Sequence, residues 1–527
     1  MTMMAPGGYP TMPTTPMIGP ALPRHGEPGF SVFSRRVWPL NPLAAAPLPF
    51  VLIALAVGLI GTALWRPTEH SIGYVVVGVM VFAAVYGTAG RRPARGEVLG
   101  IAMTLALLTV PAVLAATWVN ALCIVAAWVI GWHTLAGGRT WTAMIAGAFV
   151  AWALPARVIG WVQRAAPRRV QVPQLGRIAL VTAITCALVF VFGGLFAGAD
   201  PAFDRLVQNL VPSLDTEDIV SRTVVFVLVL VFVLGGGYLV RFPPMFDALA
   251  PAPGKPVRRW EWAVPLAVLD GLFLAFVAVQ ATVLFGGHAH VLATEGLTYA
   301  EYARQGFWQL LWVSALTVLV IAVVIRVASR AAGADRRMLR LLVGTLCATS
   351  IVVVVSAIHR MWVYQDAYGF STERLMVITI ELWLGTVFVL IAAAGVRMSG
   401  GLGAPPACGG ERSDRGVDSG GWLPRAVLLA GVVALLGLAA LNPERLIADR
   451  NIDRFERTGQ LDAAYLSGLS SDIDPALQRL PQSVRQCVSG EPPAGRPWYL
   501  FNLSRARADR AYTPDLPEIC VPFWPSY

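Results

Sequence analysis

Apolar residues in this chain run for about twenty positions at a time, without the strict alternation that marks a half-buried strand. The runs fall at about 43–64, 71–89, 98–118, 119–137, 141–160, 176–197, 222–240, 262–286, 307–327, 339–358, 375–396 and 423–441. A helix of about twenty residues crosses the hydrocarbon of a bilayer. Backbone polar groups in lipid must be satisfied within the segment, and the runs are too long and continuous for barrel strands, so the pattern predicts helices. The expected fold class is all-α: a polytopic transmembrane helical bundle over 42–441, with eleven or twelve spans.

The flanks read differently. Residues 1–41 form a tail rich in Pro, Gly, Met and Thr that buries too little apolar surface to fold alone. After Leu441, NPERLIADRNIDRFERTGQLDAAYLSGLSSDIDPALQRL sets charged against apolar residues at helical spacing and predicts a short helical domain of about forty residues. Pro443 suits a first helical turn, and Gly459 followed by Asp462 suits a stop and a new start. Residues 481–527, rich in Pro and aromatics, are expected to pack as an extended cap tied by a disulfide between Cys487 and Cys520.

Composition agrees with a membrane protein. Of 527 residues, 56% are hydrophobic and 14% charged, with mean hydropathy +0.62, against a charged share near a quarter in soluble domains. The net charge of +10 comes mainly from arginines between apolar runs, as the positive-inside rule expects, so nucleic acid is not the expected partner. The loops 241–260 and 326–340 are arginine-rich and read as cytoplasmic. Alternation then puts 287–305, the YGFSTER junction and the tail after 441 outside, with 397–422 inside; the expected location is the inner (cytoplasmic) membrane. Basic residues at 91–95 and 157–177 both ask for the cytoplasm, although three runs lie between them. Reading 119–137, with Asn120 and His133, as re-entrant or interfacial restores the parity; if all three runs cross, one basic loop breaks the rule or the N-terminus lies outside. Cys123, Cys186 and Cys347 lie in apolar runs as small buried hydrophobes, and no Cys or His spacing suits a metal.

Candidate chemistry sits at two junctions and inside two spans. YAEYARQGFW places Glu301 and Arg304 three apart on one face, and HRMWVYQDAYGFSTER holds Arg360, Asp366, Tyr368 and Arg374. Ser371 or Thr372 can cap the helix that follows. These sets either lock hairpins together or recognise an anionic lipid, a glycan carrier or an envelope protein. Asp270 with Gln280 in one run, and Glu381 in another, are candidates because an ionisable group in a span is costly unless it is paired or reached by water. The plainer readings are a helix-end contact for Asp270 and pairing of Glu381 with Arg360 or Arg374. No phosphate-binding, zinc-hydrolase or serine-hydrolase motif is present, and neither a cofactor nor a metal is expected. An enzyme would have to draw on His359, Asp366 and Glu373.

Four stretches together resemble a known family. They are AFVAVQATVLFGG with Gln280; YAEYARQGFWQL with Glu301 and Arg304; YQDAYGFSTERL with Tyr364, Tyr368, Gly369, Thr372 and Arg374; and the segment from Asn442 through Asn451, Asp462, Tyr465 and Asp472 to Pro475. In order over about 260–480, they are similar to bacterial polytopic membrane proteins carrying the domain of unknown function 4153/4173. The resemblance implies an integral protein of the bacterial envelope and assigns no residue a role. Two readings of function follow: a secondary transporter of a small solute or ion, or a signalling or envelope-assembly component that binds a partner through its C-terminal tail.

Overall fold

The computed structural model describes residues 37–39, 44–66, 69–165, 216–250, 257–286, 307–328, 333–397, 422–485, 488 and 496–511, with scattered helical positions between 181 and 203. Among them every regular element is a helix, as the apolar runs predict. Eight helices among the described residues are long and apolar enough to cross a membrane, and two shorter apolar ones, Leu48–Leu64 and Gly73–Ala89, accompany them.

The first bundle contains α1 (Leu48–Leu64), α2 (Gly73–Ala89), α3 (Arg95–Val113), α4 (Thr117–Ala136), the short α5 (Trp141–Ala148), α6 (Val150–Ala153) and α7 (Pro155–Gln163), and α8 (Thr216–Arg241). Its core gathers Phe50, Trp132, Leu154, Trp161 and Leu239 around α8. The run Gly235–Gly237 makes this packing possible. A Cβ on Gly237 would lie 2.1 Å from the Phe50 ring, and one on Gly235 2.8 Å from the Trp132 ring.

The second bundle contains α9 (Arg259–Gly286), α10 (Phe307–Val327), α11 (Gly333–Tyr368), α12 (Thr372–Arg397) and α13 (Leu423–Ala440), packed around Leu266, Ile321, Leu346 and Phe388. Helix α13 joins the bundles, because Val432 and Ala439 share a core with Leu107 and Cys123 of α3 and α4. Cys123 and Cys347 are fully buried.

Two expectations change. The segment 119–137 is not re-entrant; it belongs to α4, an unbroken helix of 20 residues. The broken segment is 141–163 instead. At its start, the Arg139 and Thr140 amides donate to Asp247 (2.8 and 2.9 Å); at its end, Trp161 accepts from Ala46 N (3.0 Å) and stacks edgewise on Tyr238. Both ends therefore meet the same end of the bundle, the one to which α8 delivers Arg241. There Arg241 bonds Thr88 O (2.6 Å), Arg91 bonds Val240 O (3.4 Å), and Arg259 pairs with Asp335. We call it the arginine-rich end.

The second change concerns α11. It continues through His359 to Tyr368 as one helix of 36 residues, about 54 Å long, so the polar cluster read as a junction forms the helix's last turns. Nothing before Gly369 breaks the helix; Gly369, at φ 87°, does. The turn into α12 is only Gly369–Ser371.

Beyond α13 lie α14 (Pro443–Thr458), α15 (Ala463–Ser467), α16 (Asp474–Leu477), α17 (Gln482–Arg485) and α18 (Leu503–Ala511). Asn442 caps α14 by accepting from Arg445 N (3.3 Å), Pro443 is its first residue, and Gly459 ends it in the left-handed region. Asp462 caps α15. A separate core of Ala448, Ile452, Leu466, Ile473, Leu477 and Leu480 forms here. Part of the stretch read as extended is thus the helix α18. Cys487 and Cys520 lie outside the described residues.

Candidate functional site

The C-terminal segment is docked on the bundle end opposite the arginines. Hairpin turns in a low-dielectric setting leave backbone groups without partners, and each such group is costly to leave unmet. Here the C-terminal segment supplies those partners. At the α3–α4 turn, Asp472 accepts from Ala115 N (3.0 Å) and Ala116 N (2.8 Å). Asn502 donates to the carbonyls of Pro111 (2.9 Å) and Leu114 (2.8 Å). Glu444 accepts from Trp118 Nε1 (3.1 Å) and Ser470 N (2.7 Å). At the α1–α2 turn, Ile72 N donates to Phe501 O (3.0 Å), while Glu69 pairs with Arg496 (3.4 Å) and Arg505 (3.5 Å).

The α11–α12 turn is clamped in the same way. Asn451 accepts from Phe370 N and donates to Phe370 O, both at 3.1 Å. The Thr372 amide donates to Tyr465 Oη (2.9 Å). Arg374 donates to Gly369 O and lies over the Tyr364 ring, 4.2 Å from its centroid. A polar pocket of about 200 Å³ opens between this turn and the C-terminal segment, lined by Phe370, Arg374, Asn451, Arg454, Asp462 and Tyr465. A larger cavity, about 320 Å³, lies in the first bundle between Trp65, Tyr74, Phe82, Trp128 and Phe232 and is apolar.

Burial tunes the carboxyls of the docked segment. It raises Glu444 above its ordinary value, and it raises Asp474 to about 6 with help from Asp472 and Asp509 nearby.

Inside the second bundle, Asp270 and Glu381 are 5% and 0% exposed, and among the described residues none of their four carboxylate oxygens has a hydrogen-bond partner. Asp270 lies eleven residues into α9, too deep for the expected helix-end contact. Glu381 is paired with neither Arg360 nor Arg374, which corrects the plainer reading of it. Side-chain contacts fix the relative depths. Ser356 Oγ meets Gln280 Oε1 at 3.4 Å, so the parallel α9 and α11 place Asp270 level with Leu346. Gly385 packs against Val354, so the antiparallel α12 puts Glu381 level with Ile358, close in depth to the Gln280–Ser356 pair. The two carboxylates thus stand about 18 Å apart along one bundle, about twelve residues of helix rise. Ser350, fully buried and with its hydroxyl unpartnered, lies between the two levels. Glu381 follows Arg374 by seven residues, two turns along the same face of α12.

Of the remaining candidates, Arg360 is half-buried on α11, and Asp366 and Tyr368 belong to that helix's last turn. Glu301 and Arg304 lie outside the described residues. The docking residues Asp472, Asn451 and Tyr465 appear in the sequence only through the resemblance. Glu444 and Asn502 give no signal there, since their partners are backbone and indole groups far along the chain.

Long apolar helices in two joined bundles, capped at one end by a small helical domain, define a multi-pass integral membrane protein. The chain belongs to the family described as Domain of unknown function (DUF4153), whose model matches residues 101–404 and 413–480. The match begins in α3, well before the motif resemblance at about 260, and ends at Leu480, between α16 and α17. No curated protein and no solved structure matches the chain.

Proposed function

We propose that this protein is a secondary transporter of a small solute or ion, resident in the inner membrane of the bacterial envelope, with Glu381 and Asp270 carrying the coupling proton or cation. The observation that supports this reading is the pair of buried carboxylates without partners at two depths of one bundle. Ionisable groups inside spans are retained where they pair, face water or take part in ion movement, and no pairing is found for these two. Gln280, Ser350 and Ser356 supply polar surface between their levels. Neither cavity is lined by Glu381 or Asp270, so transport requires a path that opens between Arg374 and Glu381 on α12.

Orientation follows from charge. Arg91, Arg241, Arg259, Arg337 and Arg397 gather at one end, which the positive-inside rule assigns to the cytoplasm; the C-terminal domain is then extracytoplasmic. Its docking on three hairpin turns supports a cap on the bundle over a free tail that captures partners.

Infrared spectroscopy of the protein in lipid tests the reading without a known solute. The Glu381 carboxyl band, identified by its loss in Glu381→Gln, is expected to shift promptly on exchange into D2O. A band that stays unshifted means that water does not reach the group, and the transport reading fails. Glu381→Leu is expected to match or exceed the wild-type melting temperature, since replacing an unpaired buried carboxylate by an apolar side chain removes a desolvation cost.

A further inference from the structure

The geometry points to the polar pocket between the α11–α12 turn and the C-terminal domain as a binding site for a phosphate-class anion. Two guanidinium groups converge there on one glycine. Arg374 Nη1 donates to Gly369 O, and a Cβ built on Gly369 would lie 3.2 Å from Arg454 Nη1. Among the described residues, no carboxylate comes within 4 Å of either group, although Asp462 lines the same pocket. Elsewhere on the same domain Arg445, Arg479, Arg496 and Arg505 each meet a carboxylate. Arg479 meets Asp449 at 3.7 Å, Asp453 at 2.6 Å and Glu456 at 3.0 Å.

Each guanidinium carries five donors. Arg374 spends one on Gly369 O and lays its face on Tyr364; Arg454 spends one on Gln460 Oε1 at 3.3 Å. The donors left over, from two elements held around one backbone turn, form the fork arrangement that matches tetrahedral oxyanions. Like charges at close quarters repel, and an anion between them reverses the sign of that interaction. Asp462 limits what fits. With two arginines and one carboxylate the lining is singly positive, which suits one phosphate group and disfavours a polyphosphate. Ser371 adds a hydroxyl, and Phe370 and Leu461 add an apolar wall for whatever the phosphate is attached to.

A phosphate group can arrive as a free ion or ester, or as a lipid headgroup. The pocket stands where α12 begins, and Trp362, one to two turns before the end of α11, is 57% exposed, as an indole at a membrane interface would be. The site does not depend on proton movement at Glu381.

The test uses purified full-length protein in neutral detergent and in nanodiscs. Inorganic phosphate is expected to raise the melting temperature above that in chloride of equal ionic strength if the source is free phosphate. If the source is lipid, phosphatidylglycerol nanodiscs should raise it over phosphatidylcholine ones, with about tenfold enrichment of bound phosphatidylglycerol in native mass spectra. In either case Arg454→Gln should abolish the response and Arg454→Lys restore part of it. Ser371→Asp provides a second check that removes no existing contact: the added carboxylate should occupy the arginines, abolish the response and leave the anion-free melting temperature at or above wild type. No response to either phosphate source, or a response that persists in both Arg454→Gln and Ser371→Asp, overturns the proposal.

Discussion

Replacing Asp472 by Ala removes the acceptor for two backbone amides at the start of α4, Ala115 N at 3.0 Å and Ala116 N at 2.8 Å, in a site where the carboxylate is 1% exposed. Each buried donor left unmet costs roughly 1–3 kcal/mol, or about 2–6 kcal/mol for the pair. Loss of this negative charge also relieves Asp474 and Glu444, whose carboxyls it disfavours. We set that relief at one tenfold step in an equilibrium, about 1.4 kcal/mol. The net expectation is about 1–5 kcal/mol against docking, a rise of roughly five-fold to a few thousand-fold in the undocked population. Limited proteolysis of the detergent-solubilised full chain reads that population directly when closing is faster than cleavage. Cleavage between α13 and α18 should accelerate accordingly in Asp472→Ala. Asp472→Asn, which keeps one acceptor oxygen but sets an amide against the remaining N–H, should fall between the two. Cleavage of Asp472→Ala within twofold of wild type would show that these bonds do not hold the domain.

Three further expectations follow from the same structure. The Asp474 carboxyl is raised from 3.8 to about 6 by burial and by Asp472 and Asp509; folding therefore favours its protonated form. Its contribution is complete below about pH 4 and is lost as pH rises through about 6, so docking should weaken by roughly 1–2 kcal/mol across that window, after allowance for its partial exposure. Proteolysis rates should show this slope in wild type and lose it in Asp474→Asn. Gly237→Ala pushes a methyl to 2.1 Å from the Phe50 ring and should cost roughly 1–3 kcal/mol, seen as a lower melting temperature that Phe50→Leu in the same chain partly restores. With native cysteines replaced, Thr458→Cys should react with an impermeant maleimide on intact cells, and Arg337→Cys only after permeabilisation. The reverse pattern would invert the proposed orientation.

What the sequence determined by itself was local. Each long apolar run reports the free energy of moving one segment into lipid, and that is a property of the segment alone; the helices of both bundles follow from it. The caps of the C-terminal domain are legible for the same reason, since Asn442, Pro443, Gly459 and Asp462 act on their own neighbours within a few residues. The apolar run at 141–160 misled because hydropathy does not say which bundle end a segment leaves by. Its course is decided by Asp247 and Ala46, residues about a hundred positions away. Asp270 and Glu381 were visible as carboxylates in apolar runs, but their depth and lack of partners depend on how α9, α11 and α12 are set against one another. The remaining decisions belong to tertiary structure alone. Asp472 reaches Ala115 across 357 positions because a hairpin turn leaves amides that only another part of the chain can satisfy. Arg374 and Arg454 become one pocket only when the α11–α12 turn and α14 close around Gly369.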